Sequence, residues 1–327
     1  MGGSLFGEPI SESDPAIPIE VLSPVSTKGE FLTASREPGS ALRIALVQVA
    51  VRESVYADRT AFTERLRAVL ETAVVEGDAE FIVFPEYVNV FALLDEYAPE
   101  IRRSDTLEQV ITDAGLRLPT PTILRREVRK ETVAIRRIWE RLAREYRVWI
   151  LAGTAFVEAR DSTVRNRSWL FSPAGTLVHH VDKAFLTPFE NGLRLTPGAV
   201  PSGAPFEIDG VTFGVTICRD SYFDVWEERY REVDVWLDIR ANGEEWNETV
   251  RRRFDGALPE RVAQTPVGLG LSTSLNGEFL ELFWEGPAFL VDDDGRRVYQ
   301  SPEIDGDRIV IVPVVPGGPA DRERRGR

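Results

Sequence analysis

The sequence predicts an α/β fold with parallel strand pairing, and three neighbouring segments carry that expectation. Leu42 to Val49 is a β-rich apolar run suited to a central strand. Residues 58 to 76 then place Phe62, Leu66, Val69, Leu70 and Ala73 at three- and four-residue spacing, the stripe of an amphipathic helix, which Gly77-Asp78 stops. Glu80 to Phe84 is a short apolar strand ended by Pro85. Strand, helix, strand favours parallel pairing with the helix laid on one face of the sheet.

The later elements follow the same logic. Residues 89 to 128 are less regular, and Leu116 to Thr122 reads as an extended loop. A helix is expected from about 129 to 146, with Val133, Ile135, Ile138, Trp139, Leu142 and Ala143 on its apolar side, leading into a strand from Val148 to Gly153. Asn166 to Phe171 and Thr176 to Val181 form a hairpin whose turn holds Pro173 and Gly175. Strands are expected at Val211 to Ile217, Val233 to Ile239, Val267 to Thr273, Pro287 to Val291 and Arg308 to Val314, with helices through Trp226 to Tyr230 and Glu248 to Phe254. No internal repeat or linker divides them. The expected organisation is one domain over residues 41–315, a flexible or loosely docked N-terminal arm over 1–40 and a flexible tail over 316–327.

Composition narrows the function. Acidic residues outnumber basic ones 53 to 39, a formal charge of −14 that argues against nucleic acid or an anionic membrane surface as partner. A small-molecule substrate is compatible with it. One cysteine excludes an intrachain disulfide or a multi-thiolate metal cluster. The two histidines, His179 and His180, are adjacent within a strand and poorly supply a histidine metal cage or triad. The N-terminus has no secretion-signal pattern and the apolar runs are too short to span a bilayer, so a soluble, cytoplasmic protein is expected.

Three residues attract chemistry. Cys218 ends a complete apolar strand and opens the polar segment Arg219-Asp220-Ser221, the end of an α/β sheet where sites are built. A helix beginning just after it would favour a thiolate. A cysteine attacking an amide or nitrile carbon needs a base and an oxyanion stabiliser. Glu86, at a strand end between Pro85 and Tyr87, suits the base if burial raises its pKa; taken alone it is equally a solvated loop glutamate. Lys183, followed by Ala184-Phe185-Leu186-Thr187-Pro188-Phe189-Glu190, suits the oxyanion; taken alone it is equally a surface lysine neutralised by Asp182.

Phe84-Pro85-Glu86-Tyr87, Asp182 to Glu190 and Ile217-Cys218-Arg219-Asp220 resemble, in order, the three signature motifs of the nitrilase, or carbon–nitrogen hydrolase, superfamily. Further matches are Val47-Gln48, Asn166 before Ser172-Pro173-Ala174-Gly175, Thr196-Pro197-Gly198, and Gly286 to Asp292 with Gly295. The resemblance implies a four-layer α-β-β-α sandwich and assembly into a homodimer or larger homo-oligomer. It implies Glu86 as general base, Lys183 as oxyanion stabiliser, Cys218 as nucleophile, Glu190 as the second glutamate that positions the lysine, and the Arg219 amide as a further oxyanion donor. No metal or organic cofactor is implied.

Departures from the family pattern border the pocket. Arg219 stands where an aromatic residue is frequent; its guanidinium suits a substrate carboxylate or phosphate, or else pairs with Asp220 or a glutamate to shape the loop. Trp246 falls where the family keeps a pocket-lining tryptophan, and Tyr87 adjoins Glu86. The segment 97–128, locally basic with Arg102, Arg103, Arg125 and Arg126, is either a lid, an oligomer contact or a solvated face. The expected function is hydrolysis of a small linear amide or N-carbamoyl compound through a Cys218 thioester. Soluble acyl transfer to an amine, nitrile hydrolysis and a silent scaffold are the alternatives.

Overall fold

The computed structural model describes residues 16–27, 29–32, 41–52, 55, 58–90, 92, 97–113 and 121–316. The chain order is β1 (Ile19–Val21), β2 (Val25–Ser26), β3 (Leu42–Val51), α1 (Arg59–Glu71), β4 (Phe81–Val83), α2 (Ala98–Ile101), α3 (Leu107–Asp113), α4 (Pro121–Tyr146), β5 (Trp149–Glu158), β6 (Val164–Phe171), β7 (Leu177–Asp182) and α5 (Pro188–Gly192). There follow β8 (Phe206–Ile208), β9 (Val211–Ile217), α6 (Val225–Tyr230), β10 (Val235–Ala241), α7 (Glu248–Asp255), α8 (Leu258–Ala263), β11 (Leu269–Phe279), β12 (Leu282–Trp284), β13 (Phe289–Val291), β14 (Arg297–Gln300) and β15 (Arg308–Val315).

The strands run in the order β7-β6-β5-β4-β3-β11-β10-β9-β8. β3 joins the two halves. Ile44 to Leu46 pair in parallel with β4 and Leu42 to Gln48 antiparallel with β15, while Val49 to Val51 pair with Leu275 to Gly277 of β11. Alternation along β3 sends Ile44 and Leu46 one way and Ala45, Val47 and Val49 the other. The first pair belongs to the layer between the half-sheets, with Phe81, Val83 and Leu151 on one side and Phe213, Val215, Ile217 and Leu237 on the other. The second set packs with Phe62, Leu66 and Leu70 of α1 and Ile138, Trp139 and Leu142 of α4. Across the molecule Trp236 and Phe289 meet Trp226 and Tyr230 of α6 and Leu258 and Val262 of α8. Helices, sheet, sheet, helices: this is the four-layer α-β-β-α arrangement expected.

Element boundaries moved where tertiary packing outweighed local pattern. α4 begins at Pro121, about eight residues before its expected start, because proline suits a first helical turn and Val128 extends the stripe of Ile135, Ile138 and Leu142. Pro121 and Thr122 are therefore helical, not loop; residues 116–120 of that expected loop lie outside the described residues. The expected loose arm contains two short strands: β1 and β2 pair in parallel with β15, and Val25 is fully buried. These strands cover the side of β15 that would otherwise present unpaired backbone. Residues 1–15, 33–40 and 317–327 lie outside the described residues.

One irregularity positions the candidate site. The β5–β6 register shifts between Leu151 and Thr154, around Gly153, whose φ is +57°. A Cβ at Gly153 would sit 2.1 Å from the carbonyl oxygen of Pro85, immediately before Glu86. Gly153→Ala is expected to destabilise the fold by about 1–3 kcal/mol or more, from positive-φ strain alone before the clash is added. Urea denaturation measures it; an unchanged midpoint would show that the Pro85 turn moves away freely.

Candidate active site

The Glu86 turn is fixed against the β5 irregularity. Phe84 N–H donates to the Leu151 carbonyl (2.9 Å), and Tyr87 N–H to Thr154 Oγ1 (2.9 Å). Asn89 Nδ2 donates to the carbonyl of Ala152 (2.7 Å), while its Oδ1 accepts from Trp139 Nε1 (2.7 Å). Tyr87 is held at φ +62°, an uncommon conformation for a non-glycine residue. These bonds turn Glu86 inward, where it is 1% exposed. The solvated-loop alternative therefore fails.

Lys183 directly follows β7. Its N–H donates to the Asn166 carbonyl (2.9 Å), and its own carbonyl accepts from Gly198 N–H (2.8 Å). A Cβ at Gly198 would lie 2.5 Å from Asp182 Cβ, so the Thr196-Pro197-Gly198 segment approaches closely because position 198 lacks one. Asp182 does not neutralise Lys183: it pairs with Arg167, whose Nη2 lies 2.8 Å from Oδ2. Lys183 is fully buried, with Nζ 2.7 Å from Glu86 Oε1 and 2.9 Å from Glu190 Oε2.

Glu190 is placed by a capping box. Thr187 is the N-cap of α5; its Oγ1 accepts from Glu190 N–H, and Glu190 Oε2 accepts from Thr187 N–H at 2.7 Å. Asn166 Nδ2 then bridges the two carboxylates, 2.9 Å from Glu86 Oε1 and 2.7 Å from Glu190 Oε1. Glu86 Oε2 has no hydrogen-bond partner among the described residues. Burial pushes Glu86 up to about 7 against the pull of the Lys183 charge. Glu190 lies below the usual carboxylate range, because Lys183 and the Thr187 N–H outweigh its burial. Burial acts to lower Lys183, but the surrounding negative groups, Glu86 foremost, hold it well above the usual lysine value.

Cys218 directly follows β9 at φ +52°, with Sγ 3.9 Å from the Ala241 carbonyl oxygen. A 3-10 turn, Cys218–Tyr222, begins at the cysteine itself, and α6 starts at Val225. Burial and the negative charge of Glu86 push the thiol well above its ordinary pKa despite Lys183, so the proton stays on sulfur until it is taken.

The Tyr87 ring centroid lies 5.7 Å from Lys183 Nζ. Arg219 is exposed and makes no bond with Asp220. Asp220 is fully buried and accepts from Ala184 N–H (3.0 Å) and Phe185 N–H (2.8 Å), tying the lysine loop to the cysteine turn. Burial pushes Asp220 up to about 8. Trp246 packs on Phe254 (5.6 Å between ring centroids), its N–H captured by Glu285 Oε2 (2.6 Å), and it is not among the residues lining the cavity beside Tyr87. That cavity, of about 360 Å³, is lined by Tyr87, Thr187, Pro188, Phe189, Ala241, Gly243, Glu244, Glu281, Leu282, Phe283 and Trp284.

Asn166, Asp220, Ser221 and Asp238 were not foreseen as site residues. Ser221 Oγ lies 2.8 Å from the Cys218 carbonyl oxygen and 3.3 Å from Asp238 Oδ2, which braces the positive-φ residue from below. Asn166 and Asp238 are polar residues inside strands, where asparagine and aspartate are depleted, and that is the signal available in the sequence. Among the described residues no cluster of three or more His, Cys, Asp or Glu side chains is placed to hold a metal ion. His179 packs by Phe206 (5.3 Å between ring centroids) and His180 is exposed, both within β7.

The chain belongs to the carbon–nitrogen hydrolase family, whose profile matches residues 43–226, a span that includes Glu86, Lys183, Glu190 and Cys218. Three solved structures share the fold. A carbon–nitrogen hydrolase from Helicobacter pylori G27 superposes with a TM-score of 0.64 at 15% identity, covering 89% of this chain and 92% of that one. A mutant of the Nesterenkonia AN1 amidase from the nitrilase superfamily gives 0.60 at 16%, covering 88% and 95%. Saccharomyces cerevisiae Nit3, a member of branch 10 of that superfamily, gives 0.59 at 18%, covering 89% and 95%. Among curated proteins none matches the sequence significantly.

Asp220→Ala leaves the amides of Ala184 and Phe185 without their acceptor. The expected loss is about 1–3 kcal/mol of stability, read by urea denaturation, with hydrogen exchange quickened at those two amides. Unchanged exchange would show that the loop does not depend on Asp220.

Proposed function

We propose that the chain hydrolyses a carbon–nitrogen bond in a small linear amide through a thioester on Cys218. The observation that carries this reading is the buried Lys183, held between Glu86 and Glu190, beside a Glu86 carboxylate that keeps one oxygen free and titrates at about 7. A base poised near neutral pH takes and returns protons with little driving force lost. N-carbamoyl compounds present the same carbonyl and belong to the same proposal.

In this mechanism Glu86 removes the thiol proton as Cys218 Sγ bonds to the carbonyl carbon. The oxyanion that forms is stabilised by the Lys183 ammonium and the N–H of Arg219. Glu86 gives its proton to the departing nitrogen, the C–N bond breaks, and ammonia or an amine leaves. Water loses a proton to Glu86 and adds to the thioester; collapse breaks the C–S bond, releases the acid and restores the thiol. Glu190 and Asn166 act as positioning residues, holding Lys183 and Glu86 in register. The Nesterenkonia amidase has been solved in complex with butyramide and with acrylamide added at its active-site cysteine, which makes simple amides the starting panel here. The self-association implied by the motif resemblance belongs to the proposal and is read by sedimentation.

Intact mass spectrometry during exposure to short amides is expected to show an acyl adduct that Cys218→Ala lacks, with ammonia released in water alone. Product formed only when an amine is added would sink hydrolysis in favour of transfer. Glu86→Gln keeps the size of the side chain and removes the base; a 10²–10⁴-fold fall in kcat/KM is expected. Because Glu86 must be ionised to act and burial raises it to about 7, kcat/KM should rise with pH through an inflection near 7. A profile flat from pH 5 to 9 would remove Glu86 from the role of base.

A further inference from the structure

The cavity beside Tyr87 and Ala241 bears on which acyl group the site takes. Glu86, Lys183 and Cys218 are not among its lining residues, but its walls adjoin two of them: the Tyr87 ring lies 5.7 Å from Lys183 Nζ, Thr187 bonds to Glu190, which holds that lysine, and the Ala241 carbonyl oxygen lies 3.9 Å from Cys218 Sγ. Its volume of about 360 Å³ lies at the lower end of ligand pockets, roughly 300–1,000 Å³. That space exceeds what a carbonyl and an amino group occupy. Phe189 from α5 and Leu282, Phe283 and Trp284 from β12 supply an apolar wall. Phe189 and Phe283 keep 39% and 40% of their surface exposed, unusual for two aromatic rings lining one cavity.

The charges in the lining select against an anionic substrate. Among the described residues no lysine or arginine lines the cavity, so a substrate carboxylate would find no partner among them. Its two carboxylates, Glu244, which pairs with Arg253 (3.0 Å), and Glu281, which accepts the N–H of Leu107 (2.9 Å) at the start of α3, add negative charge that a substrate carboxylate would meet. The acyl side is the one that such a wall serves. The acyl group stays bonded to sulfur through both half-reactions, whereas the nitrogen's place beside Glu86 must empty to admit water.

We infer that the substrate carries an apolar acyl group without a carboxylate, larger than the acetyl or propionyl size, seated between Phe189 and the β12 wall. This rests on the amidase reading above and specifies its substrate. The guanidinium of Arg219 then lies outside the acyl subsite and reads no substrate carboxylate.

The test measures ammonia release from the full chain with straight-chain primary amides from acetamide to hexanamide, and with amides of the same lengths ending in a carboxylate. The expected result is a rise in kcat/KM of about fourfold for each buried methylene and at least a tenfold disadvantage for the carboxylate series. In Phe189→Ala and Phe283→Ala, both at exposed positions, the dependence on chain length should flatten. A flat or falling series in the unaltered protein, or a preference for the carboxylate amides, would overturn the inference. Calorimetric titration of the same amides into Cys218→Ala separates the two proposals. Binding that tightens with chain length and is weakened by adding Phe283→Ala supports the subsite even if no amide turns over, in which case the amidase reading falls alone. Binding independent of chain length overturns the subsite whatever the turnover.

Discussion

The site depends on one buried cation. An ammonium taken out of water is costly unless charge and hydrogen bonds meet it on several sides, and Lys183 is fully buried. Glu86 and Glu190 supply the charge, and Asn166 keeps the two carboxylates at a spacing that one ammonium can serve. The arrangement is unequal in a useful way. Glu190 is also bonded by Thr187 and sits low on the pH scale, while Glu86 keeps a bare oxygen and sits near neutrality. Two carboxylates on one lysine thus acquire different tasks from their remaining bonds.

Three strand connections deliver those groups to one place. Glu86 leaves β4, Lys183 leaves β7 and Cys218 leaves β9, the first two from one half of the strand array and the third from the other. What holds the halves in register is β3, which pairs with both, and the apolar layer between them. Asp220 adds a direct tie, because a carboxylate on the cysteine turn accepts two amides of the lysine loop. The reactive geometry is therefore set by buried backbone bonds, with side-chain flexibility kept away from it.

The sequence made the framework and the principal residues legible because both leave local marks. Continuous apolar runs placed the strands around Val47 and Val215, apolar spacing of three to four placed the helices around Leu66 and Trp139, and the motifs around Glu86, Lys183 and Cys218 stood in a recognisable order. What stayed hidden depends on distance. Nothing near Asn166 in the chain announces that it bridges carboxylates 80 residues before it and 24 after it. Nothing near Trp246 in the chain announces that its N–H meets the carboxylate of Glu285, 39 residues on, while its ring packs on Phe254. The short strands at Ile19 and Val25 lack enough length to show a period, and only the unpaired side of β15 gives them a reason to order.

The pairing of β3 with β15 also has a consequence for how the molecule is made. β3 leaves the ribosome well before its antiparallel neighbour β15. Throughout that interval, at roughly 5–20 residues per second, one side of β3 stays open, and the β1 and β2 segments have no β15 to lie against. Contacts this distant in sequence slow folding. Nascent chains should therefore expose an apolar strand edge to chaperones until the final strand closes it.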